Sequence, residues 1–84
     1  MDRTQLLHDL KVLIIEECDQ GLAPEDIADD TTLLGSTSEL GLDSLDALQI
    51  AVAVRQRYGT RIEGSRDVRA ALRSVRTLAD RIDP

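Results

Sequence analysis

The segment DSLDALQIAVAVRQRYG, residues 43–59, holds the clearest helix signal of this 84-residue chain. It contains no glycine or proline before Gly59, which suits the residue that ends a helix. At its start, Asp43 suits an N-cap, and Asp46 follows three residues later like the acid of a capping box. We therefore predict a helix over about Ser44–Tyr58, with the hydroxyl of its first residue exposed.

Two apolar stripes run along this helix. One consists of Ala47, Ile50, Val54 and Tyr58, and the other of Leu45, Leu48 and Val52. Together they make the helix apolar around more than half of its circumference. One stripe can face the core, and the other needs a different contact. For Leu48, core packing and partner binding both stay open.

Further helices are predicted on either side of this segment. Apolar spacing indicates one helix from about Arg3 to Cys18, and a helical period runs from Val68 to Ile82. Ser74 is a candidate cap that would divide the latter into a short third helix and a final fourth. No strand-like alternation occurs, so the predicted fold is all-α: a small bundle of three main helices and one short one.

A long connection separates the first two helices, from about Asp19 to Asp43. Connections of this length are uncommon in compact domains and are usually functional. Five apolar residues are expected to attach it to the core: Ile27, Leu33, Leu34, Leu40 and Leu42. The loop before Ser44, the spare stripe after it and the acids around it together favour a functional serine over an ordinary helix start.

Length and charge restrict the functions open to the chain. Its length allows one domain, residues 1–84, with a core too small for an enclosed catalytic cleft. The net charge of −6 argues against nucleic acid or an anionic membrane as partner and favours a basic protein surface. Residues 1–53 carry twelve Asp or Glu and two Lys or Arg, whereas residues 54–84 carry four and eight, which suggests two different faces.

The only cysteine, Cys18, excludes an internal disulfide and indicates a reducing, cytoplasmic setting. It lies on the apolar side of the first predicted helix, so a buried, inert thiol is expected. The longest apolar runs are too short to span a bilayer, so no membrane insertion is expected. We expect a monomer.

Catalysis by Ser44 and metal binding both find little support. A nucleophilic serine needs a base, but His8 is the only histidine, and the motif lacks the second glycine of a nucleophile elbow. The acids that could bind a cation are Asp26, Asp29, Asp30, Glu39, Asp43 and Asp46. Their spacing does not fit a calcium-binding loop. We expect neither an enzyme nor a metal site.

The stretch LGLDSLDALQIAVAVRQRYGTRI, residues 40–62, resembles the attachment segment of acyl carrier proteins. In that family 4′-phosphopantetheine esterifies the serine of the Asp-Ser-Leu motif, so the resemblance implies this covalent cofactor on Ser44. The resemblance extends over the whole chain, from the first helix and long loop to the short third and final helices. It implies a protein that performs no catalysis and holds acyl groups as thioesters on the arm.

The resemblance also implies partners. A phosphopantetheinyl transferase would load the chain, and ketosynthase, ketoreductase and dehydratase-type enzymes with basic docking surfaces would then meet its thioester. The residues expected to bind these partners are Asp43, Leu45, Asp46, Leu48 and Val52. The acids would steer a basic partner, and the apolar side chains would supply contact. The resemblance further implies that growing acyl chains bind between the helices.

Some residues depart from the family pattern. Many members keep the second helix acidic to its end, but this surface here holds Gln49, Arg55, Gln56 and Arg57, and Arg66, Arg69, Arg73 and Arg76 follow at helical spacing. For this arginine stripe, a solvated face and a second recognition patch both stay open. The chain looks closer to stand-alone carriers of specialised type II pathways, such as those of polyene or aryl polyene polyketides.

Two alternatives stay open. One is a peptidyl or aryl carrier of a nonribosomal system, although Leu42 stands where peptidyl carriers often have a glycine. The other is an unmodified helical adaptor that binds a basic partner.

Overall fold

The computed structural model describes residues 2–18, 21–34 and 42–84. Along these ranges the chain forms α1 (Arg3–Glu17), α2 (Ser44–Tyr58), α3 (Ser65–Ala71) and α4 (Val75–Ile82), with a 3₁₀ turn at Pro24–Asp26. The predicted all-α bundle of three main helices and one short one is confirmed. In the described ranges, no helix is both long enough and apolar enough to cross a membrane.

Local side-chain hydrogen bonds set where the helices begin. The Asp2 carboxylate accepts a hydrogen bond from the backbone N–H of Thr4 at 3.0 Å, which caps α1. At α4, Ser74 Oγ accepts from the Thr77 N–H at 3.2 Å, and Thr77 Oγ1 accepts from the Ser74 N–H at 3.0 Å. The predicted break at Ser74 is therefore confirmed, because this reciprocal pair satisfies donors that the start of α4 leaves free.

The core is aliphatic and lies where the helices meet. α1 packs against α2 and α4, and α3 contacts α2 and α4. The largest fully buried side chains are Leu6, Leu10, Leu13, Ile14, Ile27, Leu33, Ile50, Val54, Leu72, Val75 and Leu78. They come from α1, α2, α4, the long connection and the turn after α3, whereas the buried residue within α3 is Ala71. This core fixes the position of α2 and leaves one of its faces outside.

Both apolar and charged contacts fasten the long connection to the bundle. Ile27, Leu33 and Leu42 are buried, and Leu34 is half-buried and forms an isolated parallel bridge with Leu42. The prediction that these residues attach the loop to the core is confirmed for these four. Leu40, the fifth, lies outside the described residues.

The acidic pair of this connection also anchors it. The Asp29 carboxylate lies 2.8 Å from Lys11 Nζ on α1, and the Asp30 carboxylate lies 3.1 Å from a guanidinium nitrogen of Arg76 on α4. The backbone strengthens the attachment, because the Arg76 N–H donates to the Asp29 carbonyl at 2.9 Å. These two acids therefore hold the loop in place.

The four arginines spaced at helical intervals do not form one stripe. Arg66 and Arg69 lie on α3, Arg73 lies in the turn after it, and Arg76 lies on α4 and pairs with Asp30. The single-stripe interpretation is wrong because α3 ends at Ala71 and the chain changes direction before α4. The spacing runs across a helix break and so does not define one helix face, although all four side chains are exposed.

Candidate functional site

Ser44 is the first residue of α2, and its side chain is exposed. The two acids around it form the predicted capping box. Asp43 Oδ1 accepts from the Asp46 N–H at 3.0 Å, and Asp46 Oδ2 accepts from the Asp43 N–H at 3.2 Å. These bonds bring the two acids together and leave the Ser44 hydroxyl without a hydrogen-bond partner among the described residues. The hydroxyl is therefore presented on a rigid helix end and stays available for chemistry.

The spare apolar stripe of α2 faces outward. Leu45 is 62% exposed, Leu48 56% and Val52 48%. The opposite stripe faces the core, where Ala47, Ile50 and Val54 are buried and Tyr58 is half-buried. This resolves the two interpretations of Leu48 in favour of an exposed side chain. Adjacent exposed leucines and valine on one helix face are a feature of contact surfaces.

A cleft opens beside Ser44 between α2 and the segment that contains α3. Along α2 its wall is formed by Ser44, Leu48, Val52 and Arg55, which follow one another at intervals of three or four residues and so share a helix face. The facing wall includes Ile62, Val68 and Arg69. Leu45 lies outside this lining. The facing wall was not among the features predicted from the sequence, although the apolar Val68 in the short third helix was a usable signal.

The cleft combines aliphatic walls near Ser44 with polar and charged residues elsewhere in its lining. Its walls near Ser44 are aliphatic, and the buried Leu42 and Ala47 lie at the base beside the serine. Its volume of about 1430 Å³ exceeds the roughly 300–1,000 Å³ of typical small-molecule pockets. A chain attached at Ser44 could therefore extend along the cleft.

The lone thiol lies near this end of the molecule. Cys18 follows the last residue of α1 and is half-buried rather than fully buried, so the prediction is only partly right. Burial, together with the negative charges of Asp46, Glu17 and Asp43, raises the pKa of its thiol to about 11. Because the thiolate is the reactive form, Cys18 is a poor nucleophile at neutral pH.

This predicts slow alkylation of Cys18 in the folded protein. At pH 8 a pKa of about 11 leaves roughly one thiolate in a thousand, and the rate with iodoacetamide should rise about tenfold per pH unit towards pH 11. The same chain unfolded in urea should react as an ordinary cysteine, with a midpoint near pH ~8.5. A folded-state rate that levels off by pH 9 would show that the thiol is not shielded in this way.

The described residues do not assemble catalytic or metal-binding groups around Ser44. His8 is exposed on α1 and does not line the cleft beside Ser44. Over residues 2–18, 21–34 and 42–84, no three His, Cys, Asp or Glu side chains are placed to hold a metal ion. Among the acids considered for a cation, Asp29 and Asp30 instead form ion pairs with Lys11 and Arg76, and Glu39 lies outside the described residues.

Comparison with known protein families gives a match that covers both the helical fold and Ser44. Residues 8–82 match the family described as phosphopantetheine attachment site. No curated protein matches the chain significantly in sequence. Because the match covers nearly the whole chain, the protein belongs to this phosphopantetheine-binding family, to which acyl carrier proteins belong. Its members carry 4′-phosphopantetheine covalently on a serine.

The residues at the start of α2 fit such a group. Ser44 offers an exposed hydroxyl that makes no hydrogen bond to the described residues, and the cleft next to it is open, with aliphatic walls near the serine. When bound, 4′-phosphopantetheine supplies a thiol at the end of a flexible arm, on which acyl groups form thioesters. The only cysteine of the chain, Cys18, is shielded and does not offer a comparable thiol.

Proposed function

We propose that this protein is an acyl carrier protein whose 4′-phosphopantetheine arm is attached to Ser44. The arm holds acyl or polyketide intermediates as thioesters and presents them to type II fatty acid or polyketide synthase enzymes. The observation that carries the proposal is the exposed, unbonded hydroxyl of Ser44 at the mouth of the cleft, in a family that carries its arm on a serine. We take residues 1–84 as one carrier domain, acting as a monomer in the cytoplasm.

The attachment step uses Ser44 as the nucleophile and a phosphopantetheinyl transferase as the catalyst. The Ser44 oxygen attacks the phosphorus that bears the pantetheine half of coenzyme A, and an Oγ–P bond forms. The bond from that phosphorus to the bridging pyrophosphate oxygen breaks, and adenosine 3′,5′-bisphosphate leaves. The serine proton passes to a base on the transferase. The carrier itself supplies no catalytic group, in keeping with a family whose members are generally not enzymes.

The surface around Ser44 supports contact with acyl-processing enzymes. Asp43 and Asp46 place two carboxylates beside the serine, and the exposed Leu45, Leu48 and Val52 continue the surface along α2. Charge of this kind raises association rates with a basic partner, while a small apolar patch gives contact without tight binding. Ketosynthase, ketoreductase and dehydratase-type enzymes are the partners we propose.

The buried Leu42 favours acyl over peptidyl cargo within this proposal. Leu42 is 4% exposed and belongs to the core, two residues before Ser44. Peptidyl carriers often have a glycine at the position that corresponds to Leu42. The arginines of the C-terminal half are our reason to favour a specialised pathway, such as polyene or aryl polyene synthesis, over housekeeping fatty acid synthesis.

Loading with a promiscuous phosphopantetheinyl transferase and coenzyme A tests the proposal. A carrier gains the mass of one arm per chain, measured on the intact protein. An unmodified adaptor that binds a basic partner gains nothing under the same conditions. A chain that stays at its starting mass, while a known carrier in the same tube is modified, would overturn the proposal.

The two capping acids should control the rate of this loading. We expect the double variant Asp43→Asn, Asp46→Asn to lower kcat/KM for the transferase by about tenfold at low salt, because steering by two charges is lost. Asparagine keeps the acceptor oxygens of the capping box, so α2 should remain folded. The rate of the variant should also depend less on salt, because screening acts on the charges that were removed.

The matched control is Glu16→Gln, Glu25→Gln, which removes two exposed charges from α1 and the long connection. It should load at close to the wild-type rate. Equal losses in the two double variants would show that net charge, and not the position of Asp43 and Asp46, governs recognition.

A further inference from the structure

Three arginines border the cleft beside Ser44. Arg55 lies on α2, Arg69 on α3, and Arg73 in the turn that follows. None of these three guanidinium groups has an ion pair or hydrogen bond with another described residue. By contrast, Arg3, Arg76 and Arg81 each pair with an aspartate. The cleft therefore has available positive charge beside its apolar walls.

The carboxylates on the same cleft compensate part of this charge. Asp30 pairs with Arg76, and Asp43 accepts the cap hydrogen bond at the serine end. Glu63 is the remaining acid of the lining, on the side where the chain returns from α2 to α3. Asp43 and Glu63 have no ion pair with another described residue, so an anionic group that entered the cleft would meet three unpaired guanidinium groups and two unpaired carboxylates.

The position of Arg55 identifies which part of a bound arm it could meet. Arg55 follows Ser44 by eleven residues on α2, which is roughly 16 Å of helix at 1.5 Å per residue. The pantetheine arm joins the serine oxygen to its sulfur through fourteen bonds, roughly 16 Å when extended on the scale of a polypeptide backbone. Arg55 is therefore too far away for the arm's phosphate, and it comes within reach of the far end of a cargo when the arm is bent short of its full length.

Arg69 faces the same space from α3. Its neighbour Val68 and the α2 residue Val52 contribute aliphatic surface between the two arginines and the serine. An acyl chain could lie on this surface, and a negative charge at its far end would then reach the guanidinium groups. Arginine suits this task because its planar group can bind a carboxylate through two parallel hydrogen bonds.

We propose that Arg55 and Arg69 select cargo that carries a carboxylate at the end remote from the thioester, and hold it in the cleft between α2 and α3. This inference rests on the proposed function, because it requires the arm on Ser44. A methyl-ended chain of equal length would occupy the same walls but gain nothing from the arginines. Such cargo has to be supplied by a reaction that forms or transfers the half-thioester of a dicarboxylic acid.

The test compares two cargoes that differ only at their far end. A transferase loads the ¹⁵N-labelled protein with adipoyl or hexanoyl pantetheine from the corresponding coenzyme A thioesters, and intact mass first establishes that each arm is attached. Amide shifts of the cleft residues Ala51, Val52 and Val68 then report how much of the cargo is bound. We expect the bound-to-free ratio for adipoyl to be about fivefold above that for hexanoyl, the size one exposed ion pair supplies.

Variants assign the effect to the two arginines. Arg55→Gln, Arg69→Gln should bring the adipoyl shifts down to the hexanoyl level, and the single Arg55→Gln variant should lose part of the difference. The control is Arg57→Gln, which removes an exposed arginine of α2 that does not line the cleft, and it should keep the full difference. All three arginine side chains are exposed in the folded chain and are replaced by a polar residue, so folding should be retained.

The outcomes separate the two proposals. If no arm attaches, both the proposed function and this inference fail. If the arm attaches but adipoyl and hexanoyl give the same shifts, only the inference fails. It also fails if the difference survives loss of Arg55 and Arg69, or disappears equally in Arg57→Gln.

Discussion

Replacing Ser44 by alanine should abolish attachment of the arm completely while the fold stays intact. Loading needs a hydroxyl oxygen at this position, and alanine offers none. The substitution should change the free energy of unfolding by no more than about 0.5 kcal/mol, because the hydroxyl makes no hydrogen bond to the described residues and alanine is a good helix former. Intact mass after incubation with transferase and coenzyme A measures the first effect, and urea unfolding followed by circular dichroism measures the second.

Ser65 provides a matched control for this substitution. It is also exposed, also the first residue of a helix, and also lines the cleft beside Ser44. Ser65→Ala should gain the arm as the wild type does. An arm that still attaches to Ser44→Ala, or that is lost in Ser65→Ala, would move the attachment site away from Ser44.

A large effect on stability is expected at Leu78, one of several fully buried leucines. Its side chain is fully buried where α4 packs into the core, and Leu78→Ala would remove three carbon atoms from a site that can close only partly. Such changes cost about 2–5 kcal/mol, a large share of the roughly 5–15 kcal/mol that stabilises a small domain. Urea unfolding should show a markedly lower midpoint with a similar dependence on denaturant.

Leu48→Ala is the control, because it makes the same chemical change at a side chain that is 56% exposed. Its free energy of unfolding should stay within about 0.5 kcal/mol of the wild type. It should instead slow transferase loading, because Leu48 belongs to the proposed contact surface. Similar losses of stability in the two variants would contradict the assignment of α2's outer face.

The helices could be predicted because their boundaries are encoded locally. Asp43 with Asp46 and Ser74 with Thr77 satisfy backbone donors within three residues, and Gly59 ends α2 in a left-handed conformation, with φ of 72°. Signals of this kind act between near neighbours and do not depend on the rest of the fold. The sequence therefore indicated the bounds of α2 correctly and the start of α4.

Other features depend on residues far apart in the chain and could not be predicted in this way. Both stripes of α2 are apolar, so only the packing of α1 and α3 decides that Leu48 faces outward. The role of Asp29 as an anchor requires Lys11 from α1. The gathering of Arg55 and Arg69 around one cleft likewise depends on how α3 folds back beside α2.

The surroundings of the proposed attachment serine, Ser44, depend partly on local sequence and partly on distant residues. Its exposure at a helix start follows from the cap formed by Asp43, which is local. One wall of the cleft beside it is formed by residues that follow α2 in the sequence, including Ile62 and Val68. The resemblance to carrier proteins therefore identified the site, and the folded chain supplies the surroundings in which an arm could move.

The most direct test of the carrier assignment is mass spectrometry of the protein purified from its native host, with fragmentation to locate any modification. The proposed function predicts one 4′-phosphopantetheine per chain on the peptide that contains Ser44, with part of the population bearing an acyl thioester on the arm. A bare Ser44 peptide throughout the purified population, or an arm located on another residue, would contradict it.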